Sequence, residues 1–337
     1  MTSRGSWGVR AGRALLLVLG VATLLAPWLA PNDPDRSFAD RTYAPPTKVH
    51  LRDAHGWRAP FIYRQTLVDR GNKEYAEDRT VAVPLRFLSG GRLVTVEGGT
   101  PLLLLGGDDL GRDVFARLVH GARLSIGVAL AGVVGAVLIG AWVGALAGSV
   151  GGWLESTLMF VADYLIVLPA AYLVLVLRGV LPEVLSTAEV FALMAALFAL
   201  AGWPLVARGV RAIVASERDR EYAEAARSLG VGSIRLARQL LPAAGGFIAV
   251  QVMLLVPALV LAEVTISFLG LGFTANVSWG TMLRTAGSIP MMRDAPWMLA
   301  PAAALFVLTL GCQLLAGKRG SATVLQLASV DRTSTRR

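Results

Sequence analysis

"EYAEAARSLGVGSIRLARQLLP", residues 221–242, is a polar, arginine-bearing island between two long apolar runs. Its first part, Glu221 to Leu229, is built of good helix formers, and Gly230 stands where a helix C-cap needs a positive φ. A second short helix is predicted from about Ser233, and Pro242 marks the return toward apolar sequence. The island therefore reads as a helix–turn–helix. Ala223, Ala225 and Ala226 give its first helix a small-residue surface that another protein can approach closely.

The surroundings of the island are those of a membrane. Of 337 residues, 55% are hydrophobic and 16% charged, with a mean hydropathy of +0.59, more apolar sequence than one soluble core of this length needs. Aromatics make up only 7%, so Leu, Val and Ala carry the hydrophobicity, which points to helices rather than to the short alternating strands of a barrel. Six segments approach the roughly 20 apolar residues that a span needs. They cover about 14–30, 118–148, 153–177, 188–207, 245–269 and 297–315. The second is long enough to begin as an interfacial helix. Pro27 and Trp28 disrupt the small-residue pattern of a signal-peptide cleavage site, so the first is read as a retained span.

The formal charge of +9 has a topological explanation that needs no nucleic acid. Basic residues gather in three regions: 1–13, the loop 208–244, and the tail 317–337. With six spans all three fall on one side, which the positive-inside rule makes cytoplasmic. Residues 31–117 then lie outside. That stretch has near-balanced charge, strand-like pieces ("TVAVPLRF", "GRLVTV") and Gly/Pro punctuation, and it is expected to form a small extracytoplasmic domain. The membrane core proper would be 118–316. Cys312 is the only cysteine, so no intrachain disulfide and no cysteine-based metal site can form.

Four ordered blocks carry a family resemblance. "EYAEAARSLG" followed by "LLP" resembles the EAA loop of permease subunits in binding-protein-dependent ABC importers. "GDDLGRDVFARLVHGARLSIGVAL" (107–130), "GGWLESTLMFVADYLIVLP" (151–169), and "EVTISFLGLG" (263–272) with "SWGTML" (278–283) look like further blocks of the C-type subunit of dipeptide/oligopeptide (peptide/nickel-type) importers. Glu155 stands where that family has Asp, and Phe160 where Arg is usual. The resemblance implies an all-α polytopic fold of six transmembrane helices, with the island as a cytoplasmic coupling helix–turn–helix. It further implies partnership with a homologous permease subunit, two ABC ATPase subunits and an extracytoplasmic substrate-binding protein, in the cytoplasmic (inner) membrane of a prokaryote. By the same resemblance the ATPase-docking positions are Glu221, Glu224, Ala225, Ala226, Gly230 and Pro242.

The chemistry-bearing residues fit a transporter better than an enzyme. No GxxxxGK[ST] loop occurs, so ATP would be bound by the partner subunits, and no cofactor is expected in this chain. No nucleophile elbow or HExxH occurs either. A polytopic membrane enzyme or an ion-driven secondary transporter is the alternative; the first needs a cluster of nucleophile and base, the second internal repeats and paired broken helices. Asp163, about ten residues into the third span, is a candidate for gating or for structure, its structural reading being a pairing with a hydroxyl or backbone group. Glu263, late in the fifth span, is expected near a partly hydrated outer face, as a gate residue or a plain interfacial one. In "DDLGRD" (108–113), Arg112 is poised to neutralise Asp108 and Asp109, and Leu110–Gly111 reads as a turn opening the next helix: a structural elbow rather than a metal site.

Overall fold

In a computed structural model the described residues are 3–53, 56–69, 71, 73–167, 186–273, 276–287 and 293–334. The chain divides into two compact units. One comprises residues 1–16, 126–266 and 307–337; the other comprises 17–125 and 267–306. Helix α1 spans Ser3–Leu24, α3 Val114–Val150, α5 Thr187–Arg218, α8 Gly245–Phe268 and α10 Ala300–Ser334. Among the described residues five helical segments are long and apolar enough to cross a membrane, at mean hydropathies from 1.4 to 2.3. The third segment expected from the sequence, 153–177, is covered in part by α4 (Gly152–Val167), and its remainder lies outside the described residues.

Several boundaries move for local reasons. Helix α5 starts on a capping box, in which Ser186 Oγ accepts from Glu189 N at 3.3 Å and the Glu189 carboxylate accepts from Ser186 N at 2.7 Å. It runs on to Arg218 rather than ending near 207, because Arg208 and Arg211 find carboxylate partners on α4 and the helix need not stop where charge begins. Helix α3 opens at Val114, inside the segment read as insert, since Asp113 caps it: Phe115 N donates to Asp113 Oδ1 at 2.9 Å.

In the first unit, α3 and α5 meet backbone to backbone. Gly140, Gly144 and Gly148 lie one turn apart on α3, opposite the carbonyls of Trp203, Ala207 and Arg211 on α5. A Cβ at these glycines would come within 2.6, 2.5 and 2.8 Å of those oxygens, closer than carbon and oxygen can sit. Val206, Val210 and Val214 fill the flanks of the seam and are fully buried. Small residues that let backbones approach are the usual basis of helix association where lipid removes the hydrophobic drive between helices. A second such crossing joins α1 to α10: a Cβ on Gly12 would stand 2.9 Å from Gly311 O.

The described apolar segments are helical, and the strand-like pieces read in 31–117 do form strands, so the all-α class covers the apolar helices and not this stretch. The second unit carries a four-stranded antiparallel meander of β1 (Val49–Asp53), β2 (Gly56–Asp69), β3 (Glu74–Ser89) and β4 (Arg92–Val96). The β-branched alternation of "TVAV" and "RLVTV" favours pleated backbone, and the last hairpin closes on Gly90 and Gly91, both at positive φ as a tight two-residue turn requires. The flanking segments fasten the sheet: Arg92 donates to Pro31 O at 2.6 Å, Tyr75 to Thr42 O at 2.7 Å, and Thr47 N to Leu103 O at 2.8 Å.

The same unit contains the elbow. Asp108 is buried, its Oδ1 accepting from the backbone N–H groups of Leu110 and Arg112 at 2.9 and 2.8 Å. Arg112 Nε reaches its Oδ2 at 2.7 Å and Arg117 Nε at 3.4 Å, while a second Arg112 nitrogen lies 3.3 Å from Asp109. The arginine does neutralise both acids. "SWGTML" forms α9 (Trp279–Thr285), and its fully buried Trp279 donates from the ring to Leu118 O and from the backbone to Ser125 Oγ, both at 3.0 Å. Arg123 closes the unit's other side by donating to Thr23 O and Leu24 O at the C-terminus of α1, at 3.0 and 2.9 Å.

Asp113 provides a pH test of this packing. Burial pushes its carboxyl up to about 6, against hydrogen bonds from Asn32 and the α3 N-terminus that favour the charged form. A carboxyl raised in the folded state holds a proton that the unfolded chain releases, so its contribution is complete below about pH 4 and lost as pH rises through about 6. In Asp113→Asn this titration disappears. The unfolding free energy of the parent protein, minus that of Asp113→Asn, is expected to fall by up to about 3 kcal/mol between pH 4 and pH 7. Chemical denaturation in detergent at several pH values measures it, and a flat difference would refute the assignment.

Candidate functional site

The island folds as two short helices, α6 (Glu221–Ser228) and α7 (Ser233–Leu240), followed by a 3₁₀ turn at Leu241–Ala244 that holds Pro242. Acidic Glu221 and Glu224 lie in the first turn of α6 and Arg227 in its last, each at the end where the helix dipole favours its charge. Gly230 has φ +81°, Gly230 N donates to Arg227 O at 2.8 Å, and Val231 N donates to Ala226 O at 3.1 Å. That pair of bonds is the Schellman arrangement, and it turns the chain sharply into α7. The expected C-cap role of Gly230 is what the backbone does.

One face of this pair is seated and another is open. Ala223 on α6 is buried, as are Leu236, Ala237 and Leu240 on α7, which follow the spacing of one helix face. The end of α5 ties down the start of α6. Tyr222 donates to Glu217 at 2.7 Å, Arg220 pairs with the same carboxylate at 2.9 Å, and Arg227 donates to Arg218 O at 3.2 Å. Partial burial and then the Glu217 hydrogen bond hold the Tyr222 phenol above its ordinary range. Glu221, Glu224 and Ala225 are exposed, and Ala226 is half-buried.

Sequence reading missed two parts of this surface. Tyr222, Leu229 and Ile234 are apolar and exposed, Leu229 at 86% of its free area. Tyr222, Ala225 or Ala226, and Leu229 follow the i, i+3/i+4, i+7 spacing of a docking stripe, and that periodicity was the available signal. The second omission is Arg208 and Arg211, counted only as topological charge. Arg208 pairs with Asp163 at 3.1 Å, with both groups half-exposed, and Arg211 pairs with Glu155. Asp163 thus meets a guanidinium rather than the hydroxyl or backbone group expected of it. Both pairs join α4 to α5, the helix whose end carries the island.

Glu263 is brought to neither place. It lies on α8 with no exposed surface, so the hydrated setting expected from its depth is not where it sits. Rise per residue fixes depth along a helix and says nothing about which face the neighbours cover.

Five helical segments among the described residues, each long and apolar enough to cross a bilayer, mark a multi-pass α-helical membrane protein, and the island's first helix lies between two of them. The chain belongs to the binding-protein-dependent transport system inner membrane component family, whose pattern matches residues 136–317, more than half its length. It is 37% identical over 196 residues to an oligopeptide transport system permease protein of Bacillus subtilis, a match covering 58% of this chain and 62% of that protein. An oligopeptide transport system permease protein of Mycobacterium bovis is 35% identical over 215 residues, or 63% of this chain and 72% of that one. A di/tripeptide transport system permease protein of Pseudomonas aeruginosa is 29% identical over 282 residues, or 83% of this chain and 75% of that one. The chain spans somewhat less than two thirds of the Bacillus subtilis relative.

Proposed function

We propose that this chain is the permease subunit of an ABC importer, translocating peptides or similar small solutes across the cytoplasmic membrane of a prokaryote. It pairs with a homologous permease, two ATPase subunits bind and hydrolyse ATP, and an extracytoplasmic binding protein delivers the cargo. The observation that carries this reading is α6. It is anchored on one side by Ala223 and the Glu217 contacts, open on the other along Tyr222, Ala225 and Leu229, and stopped by Gly230. The three relatives above are oligopeptide or di/tripeptide transport system permeases, which supports the cargo class.

On this reading 1–13, 208–244 and 317–337 face the cytoplasm and 31–117 lies outside. ATP binding closes the ATPase dimer and draws α6 with it. The movement enters the spans through α5, and the Arg208–Asp163 and Arg211–Glu155 pairs carry it on to α4. Glu221, Glu224, Ala225, Ala226, Gly230 and Pro242 form and shape the docking surface; Asp163 and Glu263 serve gating or structure, Asp163 through its ion pair and Glu263 from its buried place on α8.

Topology tests the arrangement directly. In a Cys312→Ala background, Ser228→Cys should label only after the cell is permeabilised, whereas Arg79→Cys in β3 should label in intact cells. Both side chains are exposed, so a failure to react reports sidedness rather than burial. Labelling of Ser228→Cys by an impermeant reagent in intact cells would overturn the orientation and the docking role with it.

A further inference from the structure

The sheet of the second unit has one apolar face that its own unit does not cover. Val49 and Leu51 on β1, Leu85 and Phe87 on β3, and Val94 on β4 share that face, Phe87 standing opposite Val94 in the register. Together with Leu29, Leu102, Leu104 and Phe115 they line an open groove of about 620 Å³, and every described residue lining it is apolar. Val49, Leu51 and Phe87 keep about half their surface exposed. A groove of this size falls within the roughly 300–1,000 Å³ of small-molecule sites, and contiguous exposed apolar surface marks a site of contact.

Its position says what covers it. Leu29 ends α2 (Ala26–Leu29), which continues the line of α1, and Phe115 lies in the first turn of α3. The groove therefore opens between the points where two apolar helices begin and end. Along α1 and α2, Leu17, Val21, Leu24 and Trp28 form an exposed apolar stripe at helical spacing that leads to Leu29. Trp28, one residue from the groove, has the amphipathic ring that gathers at membrane–water boundaries. The exposed stripe thus ends at Leu29, which itself lines the groove.

We propose that this groove is a lipid site, occupied by an acyl chain of a bilayer phospholipid that leaves the leaflet beside α1 and lies against the sheet. The insert thereby rests on the membrane surface instead of standing free above it. The inference requires only that the apolar helices span a bilayer; it does not depend on the cargo, the ATPase or the direction of transport, so it stands or falls apart from the importer reading.

The test uses the full chain with Cys312→Ala, reconstituted in vesicles of phosphatidylethanolamine and phosphatidylglycerol, with a nitroxide at Leu51→Cys or Phe87→Cys. Both labels should collide with oxygen in strong preference to a water-soluble nickel chelate, and a label at the exposed Arg79→Cys should have the opposite preference. In parallel, the unsubstituted protein is irradiated in vesicles of a phosphatidylglycerol bearing a diazirine in its acyl chain, which avoids any substitution that harms folding. Adducts are expected in peptides from β1, β3 and β4 as well as from the apolar helices. Nickel access at both groove labels, spin–spin broadening that identifies a second copy as the occupant, or adducts confined to the apolar helices would each overturn the proposal.

Discussion

Ala225→Trp is expected to leave a folded, membrane-inserted protein that no longer retains its ATPase. The side chain of Ala225 is exposed on α6, away from buried Ala223, so the larger residue has room within its own chain. Surface substitutions of that kind usually change stability by no more than about 0.5 kcal/mol. Against a partner groove the same ring is an overfilled contact, and overpacking costs about 1–3 kcal/mol, or about 5–150-fold in affinity. Ala226→Trp is expected to do the same with some loss of stability as well, because Ala226 is half-buried and its carbonyl accepts the Val231 bond of the Schellman turn. ATPase co-purification and cargo uptake by the reconstituted complex are the measurements, with thermal unfolding as the check on folding. Full retention and uptake in Ala225→Trp would reduce the island to a cytoplasmic loop and remove the mechanical support for the importer reading.

Gly140→Ala and Gly144→Ala should each cost stability despite adding a single methyl group. The added carbon meets the Trp203 or Ala207 carbonyl, part of the α5 backbone, which cannot rotate aside as a side chain can. Helices α3 and α5 must separate, and the flanking contacts of Val206 and Val210 loosen with them. Each substitution is expected to destabilise by about 1–3 kcal/mol, outweighing the gain of up to about 1 kcal/mol in helix propensity that Ala has over Gly. Gly20→Ala is the control. A Cβ there meets nothing within 4 Å, so only the propensity gain remains. Thermal unfolding midpoints in detergent should rank Gly144→Ala and Gly140→Ala well below the parent and Gly20→Ala at or above it. Equal midpoints for all three would mean that the seam does not hold the helices together.

The linear pattern of residues was enough for the features that depend on local chemistry. Apolar runs near span length declared helices, because a bilayer leaves the backbone no other partner than itself. Gly230 declared a helix end, since an L side chain is strained at the φ of +81° the turn requires. The four ordered motif blocks pointed to the family that residues 136–317 match. Tertiary structure alone decided which residues meet. Asp163 was legible as a carboxylate in an apolar run, but its pairing with Arg208 depends on the rotation of α4 against α5. Glu263 was legible as a carboxylate late in an apolar run, and its complete burial depends on the neighbours of α8. Glycines 140, 144 and 148 were visible as a spacing; which carbonyls they face came from the crossing of two helices far apart in sequence. The sheet was legible as strand-like pieces, yet its uncovered apolar face beside Leu29 and Phe115 emerged only when the meander folded back to the entry of the spans. Hydropathy and backbone conformation are properties of a residue and its near neighbours, and sequence states them. Burial and ion pairing are properties of contacts between distant segments, and only the packed chain makes those contacts.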